Sequence, residues 1–145
     1  MNKMKIIYVC LFIFLFLLIG LTLLKIKHNE EYQQKVVLSQ EIHKGLVHLM
    51  YDLTMAQKNS IHGVPADGQW HDRIAFFQTQ QGPMEYLVRN NRLLRFSNGK
   101  AMLIADNIAE LRIRRQQQVP DILEVQLEAQ KNVTLISNFR IRLIH

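Results

Sequence analysis

The sequence predicts an α+β protein in which a long N-terminal helix packs on a C-terminal antiparallel β-sheet. Three observations indicate this fold class: an uncharged apolar run near the N-terminus, a helical repeat of apolar residues after it, and short alternating runs in the second half of the chain. The 145 residues have room for one domain, of which roughly 100 remain once the apolar run is set aside. We divide the chain into residues 1–5, 6–24, 25–58 and 59–145.

The apolar run from Ile6 to Leu24 is predicted to be a single transmembrane helix. Its 19 residues carry no charge, and a helix of that length spans roughly the 30 Å hydrocarbon layer of a bilayer. A cleaved signal peptide is the competing interpretation. It fits less well, because its apolar region is typically about 7–15 residues long and ends in a small-x-small site, whereas this run ends Gly20-Leu21-Thr22-Leu23-Leu24-Lys25.

The charges that flank the run give a nearly balanced orientation signal. Lys3 and Lys5 precede it, while Lys25 and Lys27 follow it. The short N-terminal segment, residues 1–5, is the easier side to keep in the cytoplasm, so the C-terminal domain is expected outside the cytoplasm. The lone cysteine lies inside the apolar run and excludes an internal disulfide in that domain.

A second segment, residues 25–58, is predicted to continue the same helix with one apolar face. Only Gly45 weakens the helical pattern. The helix from Ile6 to about Lys58 would have about 50 residues and a length near 80 Å. Apolar residues recur at spacings of three and four at Leu38, Ile42, Leu46, Leu49, Leu53 and Ala56.

A loop and seven strands are predicted after the helix. Turn-forming residues are concentrated between Asn59 and Trp70, which we take as the main loop. Asn90-Asn91 and Asn98-Gly99 have the composition of two-residue hairpin turns with positive φ. The alternating runs predict strands at Ile74–Gln78, Met84–Arg89, Arg92–Ser97, Ala101–Ile104, Ala109–Gln116, Ile122–Ala129 and Thr134–Ile144.

The last three strands also predict a register. Their apolar face would contain Leu111, Ile113, Leu123, Val125, Leu127, Phe139, Ile141 and Leu143, and their other face Arg112, Arg114, Glu124, Gln126, Glu128, Arg140 and Arg142. The middle strand is acidic and its neighbours are basic, so cross-strand ion pairs favour a meander. A three-residue loop or a bulge places Glu124 opposite Arg140, whereas a two-residue turn at Lys131-Asn132 would place it opposite Phe139.

No catalytic, cofactor-binding or metal-binding residue is predicted, and the chain is not expected to be an enzyme. It has no nucleophile motif and no phosphate-binding glycine loop. The acidic and histidine residues of the main loop have no recognised ligand spacing, so solvated loop residues are the expected interpretation. His43 and His48 are expected at the helix surface. The loop residues considered for a metal are His62, Asp67, His71 and Asp72.

The net charge of +6 admits an anionic partner. Five arginines could form a stripe that meets phosphate, but Glu124 and Glu128 would lie between them. A salt-paired sheet face is the preferred interpretation, and nucleic acid is not the expected partner. Trp70, Phe76 and Phe77 are expected to be core or packing residues. The arginines are Arg112, Arg114, Arg115, Arg140 and Arg142.

A half-apolar, half-amphipathic N-terminal helix followed by a loop and antiparallel strands resembles the type IV pilins and type II secretion pseudopilins. The resemblance is sharpest to the minor pseudopilin J group. Leu49-Met50-Tyr51-Asp52-Leu53-Thr54-Met55-Ala56 is similar to its Leu-x-x-Asp-Leu-x-x-Ala pattern. Glu85-Tyr86-Leu87 with Arg92-Leu93-Leu94-Arg95 is similar to its Tyr-containing hairpin that ends in Leu-Leu-Arg. The stretch from Ile104 to Ile113 is similar to its next strand pair.

This resemblance implies a non-enzymatic minor pilin-like subunit that acts in assembly or tip formation of a secretion pseudopilus. The implied location is the bacterial inner membrane, with the N-terminus in the cytoplasm and the C-terminal domain in the periplasm. The implied partners are other pilin-like subunits, inner-membrane secretion platform proteins and membrane lipid. The chain has no Gly before the apolar run and no Glu within it, so prepilin-type processing is not expected. The alternatives are a generic single-pass adaptor of an envelope or secretion complex, or a DNA-uptake pseudopilus component.

Overall fold

The computed structural model describes residues 3–56, 60–78 and 80–143, with side chains from Leu11 onward. It has the α+β class that the sequence predicts. The elements in chain order are α1 (Lys3–Thr54), β1 (Arg73–Gln78), β2 (Gly82–Arg89), β3 (Arg92–Ser97), β4 (Lys100–Asp106), β5 (Ile108–Arg115), β6 (Ile122–Gln130) and β7 (Thr134–Arg142). The chain divides into two compact units, Met1–Gln34 and Lys35–His145.

The first unit is helical throughout its described residues. The large apolar side chains from Leu11 to Leu24 are exposed, and α1 is long and apolar enough to cross a membrane. An exposed apolar helix surface of this length is stable in lipid, because lipid removes it from water. The structure is therefore compatible with the predicted single-pass membrane helix.

In the second unit, α1 ends earlier than predicted. Its last residue is Thr54, not Lys58, and residues 57–59 lie outside the described residues. The Ala56 N–H donates to the Leu53 carbonyl at 3.2 Å, and Ala56 forms an antiparallel bridge with Gln78 at the end of β1. The helix thus ends because the chain begins to pair with a strand, an interaction between residues far apart in sequence.

The seven strands form two antiparallel sheets instead of one. A four-stranded sheet has the order β1-β2-β3-β4, and a three-stranded sheet has the order β5-β6-β7. Asn107 separates β4 from β5 with a φ of 57°, a left-handed conformation that Asn tolerates better than most residues. The backbone turn at this residue divides the predicted single sheet into two.

The predicted hairpin turns and register are confirmed. The φ values of Asn90 and Asn91 are 53° and 56°, and Asn98 has a φ of 50°. Glu124 pairs with both Arg114 and Arg140, since the β6–β7 connection has three residues. Of the predicted apolar face, Leu111, Ile113, Leu123, Val125, Leu127, Ile141 and Leu143 are buried, and Phe139 is half-buried. The predicted end of the last strand, Ile144, lies outside the described residues.

The core of the second unit lies between α1 and the two sheets. The predicted helix face is buried at Leu38, Ile42, Leu46, Leu49 and Leu53, and Ala56 is half-buried against the same core. Gly45 lies on this face. A Cβ added to it would be 2.8 Å from Leu93 Cδ2 in the four-stranded sheet and 3.5 Å from Leu127 Cδ1 in the three-stranded sheet. The glycine therefore allows the helix to approach both sheets closely, a role that outweighs its low helix propensity.

The main loop covers one edge of each sheet. His62 exchanges backbone hydrogen bonds of 2.6 and 3.1 Å with Ala75 of β1. His71 exchanges two of 2.8 Å with Ile113 of β5. These bridges satisfy backbone groups at edges that would otherwise be open to pairing with another chain. Residues 60–71 thereby connect the two sheets.

Candidate functional site

A buried polar cluster joins the end of α1 to three strands of the four-stranded sheet. At its centre is Asp52, which is only 2% exposed. Tyr86 Oη of β2 donates to Asp52 Oδ2 at 2.5 Å. Arg95 of β3 approaches the same carboxylate, with its Nε 2.7 Å from Oδ2 as an ion pair and its Nη2 donating to Oδ1 at 3.3 Å. The Nε contact is electrostatic, because its N–H is not aligned for a hydrogen bond.

Gln78 completes this cluster through the backbone of the helix. Its Nε2 donates to the Asp52 carbonyl oxygen at 2.7 Å. The last carbonyl groups of a helix have no partner within the helix, so Gln78 satisfies one of them from β1. We call Asp52, Gln78, Tyr86 and Arg95 the helix-end cluster.

The protonation states of the helix-end cluster favour a structural role. Burial raises the pKa of Tyr86, and its hydrogen bond to Asp52 raises it further, so the phenol stays a neutral donor. The charges of Asp52 and Arg95 offset each other, and Arg95 Nη2 also donates to Gln81 Oε1 at 2.5 Å. Every polar group of the Asp52 carboxylate thus has a partner, and none is free to act as a base on a substrate.

A second polar contact holds the helix to the end of β4. Glu41 Oε2 accepts from the Asp106 N–H at 2.7 Å, and Lys44 Nζ donates to Glu41 Oε1 at 2.9 Å. Burial acts to raise the pKa of Glu41, but the hydrogen bonds from Lys44 and Asp106 outweigh burial and lower it. Glu41 and Asp52 are 11 residues apart, about 16 Å along the helix, so α1 is fixed to the four-stranded sheet at two separated points.

Most arginines of the stripe considered for phosphate binding form ion pairs with acidic side chains. Glu124, 8% exposed, accepts from Arg114 Nε at 2.7 Å, Gln116 Nε2 at 2.8 Å and Arg140 Nε at 3.0 Å. The hydrogen bond from Gln116 lowers the pKa of Glu124, and the one from Arg114 lowers it further. Arg112 pairs with Glu110 at 2.7 Å instead. This agrees with the salt-paired sheet face that the alternation predicts.

The other two arginines of that stripe do not join the Glu124 network. Arg115 Nη2 donates to the Ile61 carbonyl of the main loop at 3.5 Å. Arg142 has no ion pair among the residues that the structure describes. Among the described residues, three of the five arginines are thus paired with acidic side chains, which leaves fewer cations than a phosphate-binding groove uses.

Of the three aromatic residues expected to be core or packing residues, Trp70 and Phe77 are not in the core. Both side chains are 40% exposed, whereas Phe76 is buried and stacks on Tyr86. The Arg114 guanidinium lies 4.4 Å from the centre of the Trp70 ring, a cation–π distance. Trp70 packs on a charged sheet face for this reason, and it holds the end of the main loop against β5.

The loop histidines do not converge on one point. His71 Nε2 lies 3.5 Å from Asp67 Oδ1, whereas His62 is exposed and paired only through its backbone. The hydrogen bond from the Gln69 N–H lowers the pKa of Asp67, and the contact with His71 lowers it further. Within residues 3–56, 60–78 and 80–143, no group of three or more His, Cys, Asp or Glu side chains is placed to hold a metal ion.

In the second unit, the outer face of α1 is partly apolar. The face opposite the buried residues exposes Val37, Val47, Met50, Tyr51 and Met55. His43 and His48 are exposed on it as well, as the sequence predicts. In the second unit, α1 thus has an exposed surface that is partly apolar.

The helix-end cluster could be recognised only in part from sequence. Asp52 belongs to the late-helix motif and Tyr86 and Arg95 to the hairpin motif that resemble the pseudopilins, but the contact between the two motifs is not visible in either one. Asp52 is adjacent to Leu53 and three residues after Leu49, which indicates a carboxylate at the core side of the helix.

Comparison with models of known protein families, with curated proteins and with solved structures finds no match to this chain.

Proposed function

We propose that this chain is a non-enzymatic minor pilin-like subunit, a pseudopilin that acts in assembly or tip formation of a secretion pseudopilus. The observation that supports the proposal is the helix-end cluster. Asp52, Tyr86 and Arg95 are polar residues of two motifs that resemble those of the pseudopilin J group, and they meet in one buried site. Tyr86 and Arg95 are opposed by the register of one hairpin, and Asp52, from the late-helix motif, joins them across 34 and 43 residues of sequence.

The cluster also suits the mechanical task of such a subunit. A filament subunit that leaves the membrane needs its helix and its sheet to move together. Breaking a buried ion pair costs about 3–5 kcal/mol, and Asp52 with Arg95 forms such a pair where the helix meets β3. The second contact, between Glu41 and the Asp106 N–H, prevents the helix from rotating about the Asp52–Arg95 ion pair.

The proposed partners follow from the two exposed apolar surfaces of α1. The first, residues 11–24, would lie in the bacterial inner membrane, with the N-terminus in the cytoplasm and residues 59–145 in the periplasm. The second is the outer face at Val37, Val47 and Tyr51, where the helices of other pilin-like subunits would pack. Inner-membrane secretion platform proteins are the further partners in this proposal.

Site-specific photocrosslinking tests the proposal. A photoreactive residue at Val47 or Tyr51 in the full-length chain should crosslink to the N-terminal helices of other pilin-like subunits, because these positions face away from the sheets. The same residue at Lys131, in the β6–β7 loop, is the control. Crosslinks from Val47 to non-pilin envelope proteins alone would favour the adaptor function instead. Absence of any intermolecular crosslink at Val47 and Tyr51 would contradict assembly.

A further inference from the structure

The three-stranded sheet ends in a long strand whose outer edge is uncovered. The strand order is β5-β6-β7, and β7 has nine residues without a proline or a glycine. Within residues 3–56, 60–78 and 80–143, no backbone group pairs with the edge of β7 that faces away from β6. An open edge of this length is a template for another strand.

The other three sheet edges are interrupted. The main loop forms bridges with Ala75 of β1 and Ile113 of β5. At β4, a shift in register leaves Ile104 without a partner in β3, and Glu41 accepts from the Asp106 N–H. Bulges and covering groups of this kind protect a sheet edge against pairing with another chain. Among the described residues, β7 has neither, so the fold leaves this edge open.

Hydrogen bonds at both ends of the β6–β7 hairpin show which residues of β7 have free backbone groups. The Leu143 N–H donates to the Asp121 carbonyl at 2.8 Å, and the Lys131 N–H donates to the Val133 carbonyl at 3.1 Å. Opposite residues of an antiparallel pair alternate between hydrogen-bonded and non-hydrogen-bonded positions. The odd-numbered residues of β7 therefore bond to β6, and the even-numbered residues direct their N–H and C=O groups outward. These outward residues are Thr134, Ile136, Asn138, Arg140 and Arg142.

Charge alternates from strand to strand on the outer face of this sheet. Arg114 of β5 and Arg140 of β7 both pair with Glu124 of β6. The side chain of Arg140 is still 72% exposed. Arg142 is opposite the uncharged Ile122 and has no ion pair among the described residues. A fourth strand with acidic side chains beside Arg140 and Arg142 would continue the alternation.

We propose that the outer edge of β7 binds an extended segment of a partner protein in which acidic and apolar residues alternate. The segment adds a strand to the sheet, because its backbone pairs with the outward groups of β7. Its acidic side chains lie beside Arg140 and Arg142. Its apolar side chains lie on the other face, next to Leu135 and Phe139, which are half-buried against the core. A helix has no free backbone groups along its length, so the edge selects a strand.

A second copy of the chain is a poorer occupant of this edge. The outer face of its own β7 has uncharged and basic side chains and no carboxylate. Two β7 strands side by side would bring arginines together without an acidic group between them, which is unfavourable. The positive charge of the edge thus disfavours self-association and favours an acidic strand.

The inference goes beyond the proposed function and depends on a different part of the chain. It uses neither the helix-end cluster nor the outer face of α1. Crosslinking at Val47 or Tyr51 and strand addition at β7 can therefore fail independently.

Peptide binding to the full-length chain in nanodiscs tests the inference. The acidic probe is a fluorescently labelled peptide with the sequence Ile122–Gln130, because β6 already has the pattern that pairs with β7. Its control is the same peptide with Glu124→Lys and Glu128→Lys. Fluorescence anisotropy should show saturable binding of the acidic peptide and at least several-fold weaker binding of the lysine peptide.

Variants of the full-length chain locate the binding at the edge of β7. Asn138→Pro removes an outward N–H, a change that edge strands tolerate, and should abolish binding. Asn138→Ala keeps this N–H and should leave the affinity nearly unchanged. Arg142→Glu should lower the affinity for the acidic peptide several-fold and raise it for the lysine peptide. Lys100→Glu is the matched control, because it reverses an exposed charge in the other sheet.

Each other outcome would overturn the inference. Equal binding of the acidic and lysine peptides would refute the charge selection, and equal effects of Asn138→Pro and Asn138→Ala would place the binding elsewhere. Tighter binding of a peptide with the sequence Thr134–Arg142 would identify a second copy as the occupant. No binding of any peptide up to millimolar concentration would show that the edge does not add a strand. Trp70 fluorescence during thermal unfolding shows whether each variant is folded; should Asn138→Pro unfold the sheet, the comparison of Arg142→Glu with Lys100→Glu decides.

Discussion

Replacing Asp52 by Asn tests whether the helix-end cluster holds α1 to the sheet. Asn has nearly the same size, and its single oxygen can still accept the hydrogen bond from Tyr86. The substitution removes the negative charge and replaces the oxygen that accepts from Arg95 Nη2 by an amide nitrogen. Arg95 then keeps its positive charge at a site where its side chain is 15% exposed. Removing one partner of a buried ion pair costs about 3–5 kcal/mol.

The loss in free energy of unfolding caused by Asp52→Asn should fall near the lower end of that range. Arg95 still donates to Gln81 Oε1 at 2.5 Å and to Met84 Sδ at 3.6 Å, which compensates part of its charge. We therefore expect Asp52→Asn to lower the free energy of unfolding by about 3 kcal/mol. For a domain of this size, each kcal/mol lowers the unfolding temperature by roughly 4–8 °C, so a decrease of at least about 12 °C is expected.

Trp70 supplies the assay, because it is the single tryptophan of the chain and packs on Arg114 away from the substituted site. Its fluorescence during urea or thermal unfolding of the full-length chain in nanodiscs reports the loss of the sheet domain. Asp72→Asn is the matched control, since Asp72 is exposed in the main loop. A loss below about 1 kcal/mol, or equal to that of the control, would refute the reasoning.

A double variant separates the ion pair from other effects of the substitution. Arg95→Met replaces the guanidinium by an apolar side chain of similar length. If the cost of Asp52→Asn comes from the unpaired charge of Arg95, the double variant should be more stable than Asp52→Asn alone by at least about 1 kcal/mol. Strictly additive losses would assign the effect to something other than the pair.

Three further predictions concern other parts of the second unit. Gly45→Ala should lower the free energy of unfolding by about 1–2 kcal/mol, because overpacking against Leu93 exceeds the gain in helix propensity; an increase in stability in the same urea titration would contradict the close approach. The hydrogen bond from Gln116 is the first cause of the lowered pKa of Glu124 in the folded chain. The ionised carboxylate therefore stabilises the fold fully above the pKa that Glu124 has in the unfolded chain, and this stabilisation is lost as the pH falls through the lower folded pKa. Glu124→Gln should therefore flatten the decrease in stability below about pH 4.5, and an unchanged pH profile would refute this role. Asn91→Gly should leave the unfolding temperature unchanged or raise it slightly, whereas Asn91→Ala should cost about 1 kcal/mol at a φ of 56°; equal effects of the two substitutions would contradict the positive-φ turn.

The features that depend on local sequence could be predicted. The Asn turns follow from the tolerance of Asn for positive φ, and strand alternation follows from the two faces of a sheet. The pairing of Glu124 with Arg140 is also local in this sense, because a short loop joins the two strands. Only an odd number of residues in that loop keeps the apolar side chains of both strands on one face.

The features that depend on distant residues could not be predicted. The helix ends at Thr54 because Ala56 pairs with Gln78, 22 residues later. Trp70 is expected from the sequence to be a core or packing residue, and Arg114 of β5, whose cation lies against the ring, decides for packing. The division into two sheets occurs at Asn107, where no glycine or proline marks a turn. At the helix end and at Trp70, a contact with a residue distant in sequence decides the outcome.

The two sheets are held to the helix by different forces. Among the described residues, the polar contacts between α1 and the strands all reach the four-stranded sheet, through Asp52 at one point and Glu41 at another. The three-stranded sheet meets the helix through apolar side chains such as Leu127 near Gly45. Apolar contacts have no preferred direction, whereas the two polar points fix both the rotation and the axial position of the helix. The four-stranded sheet therefore sets the position of the part of α1 that belongs to the second unit, residues 35–54.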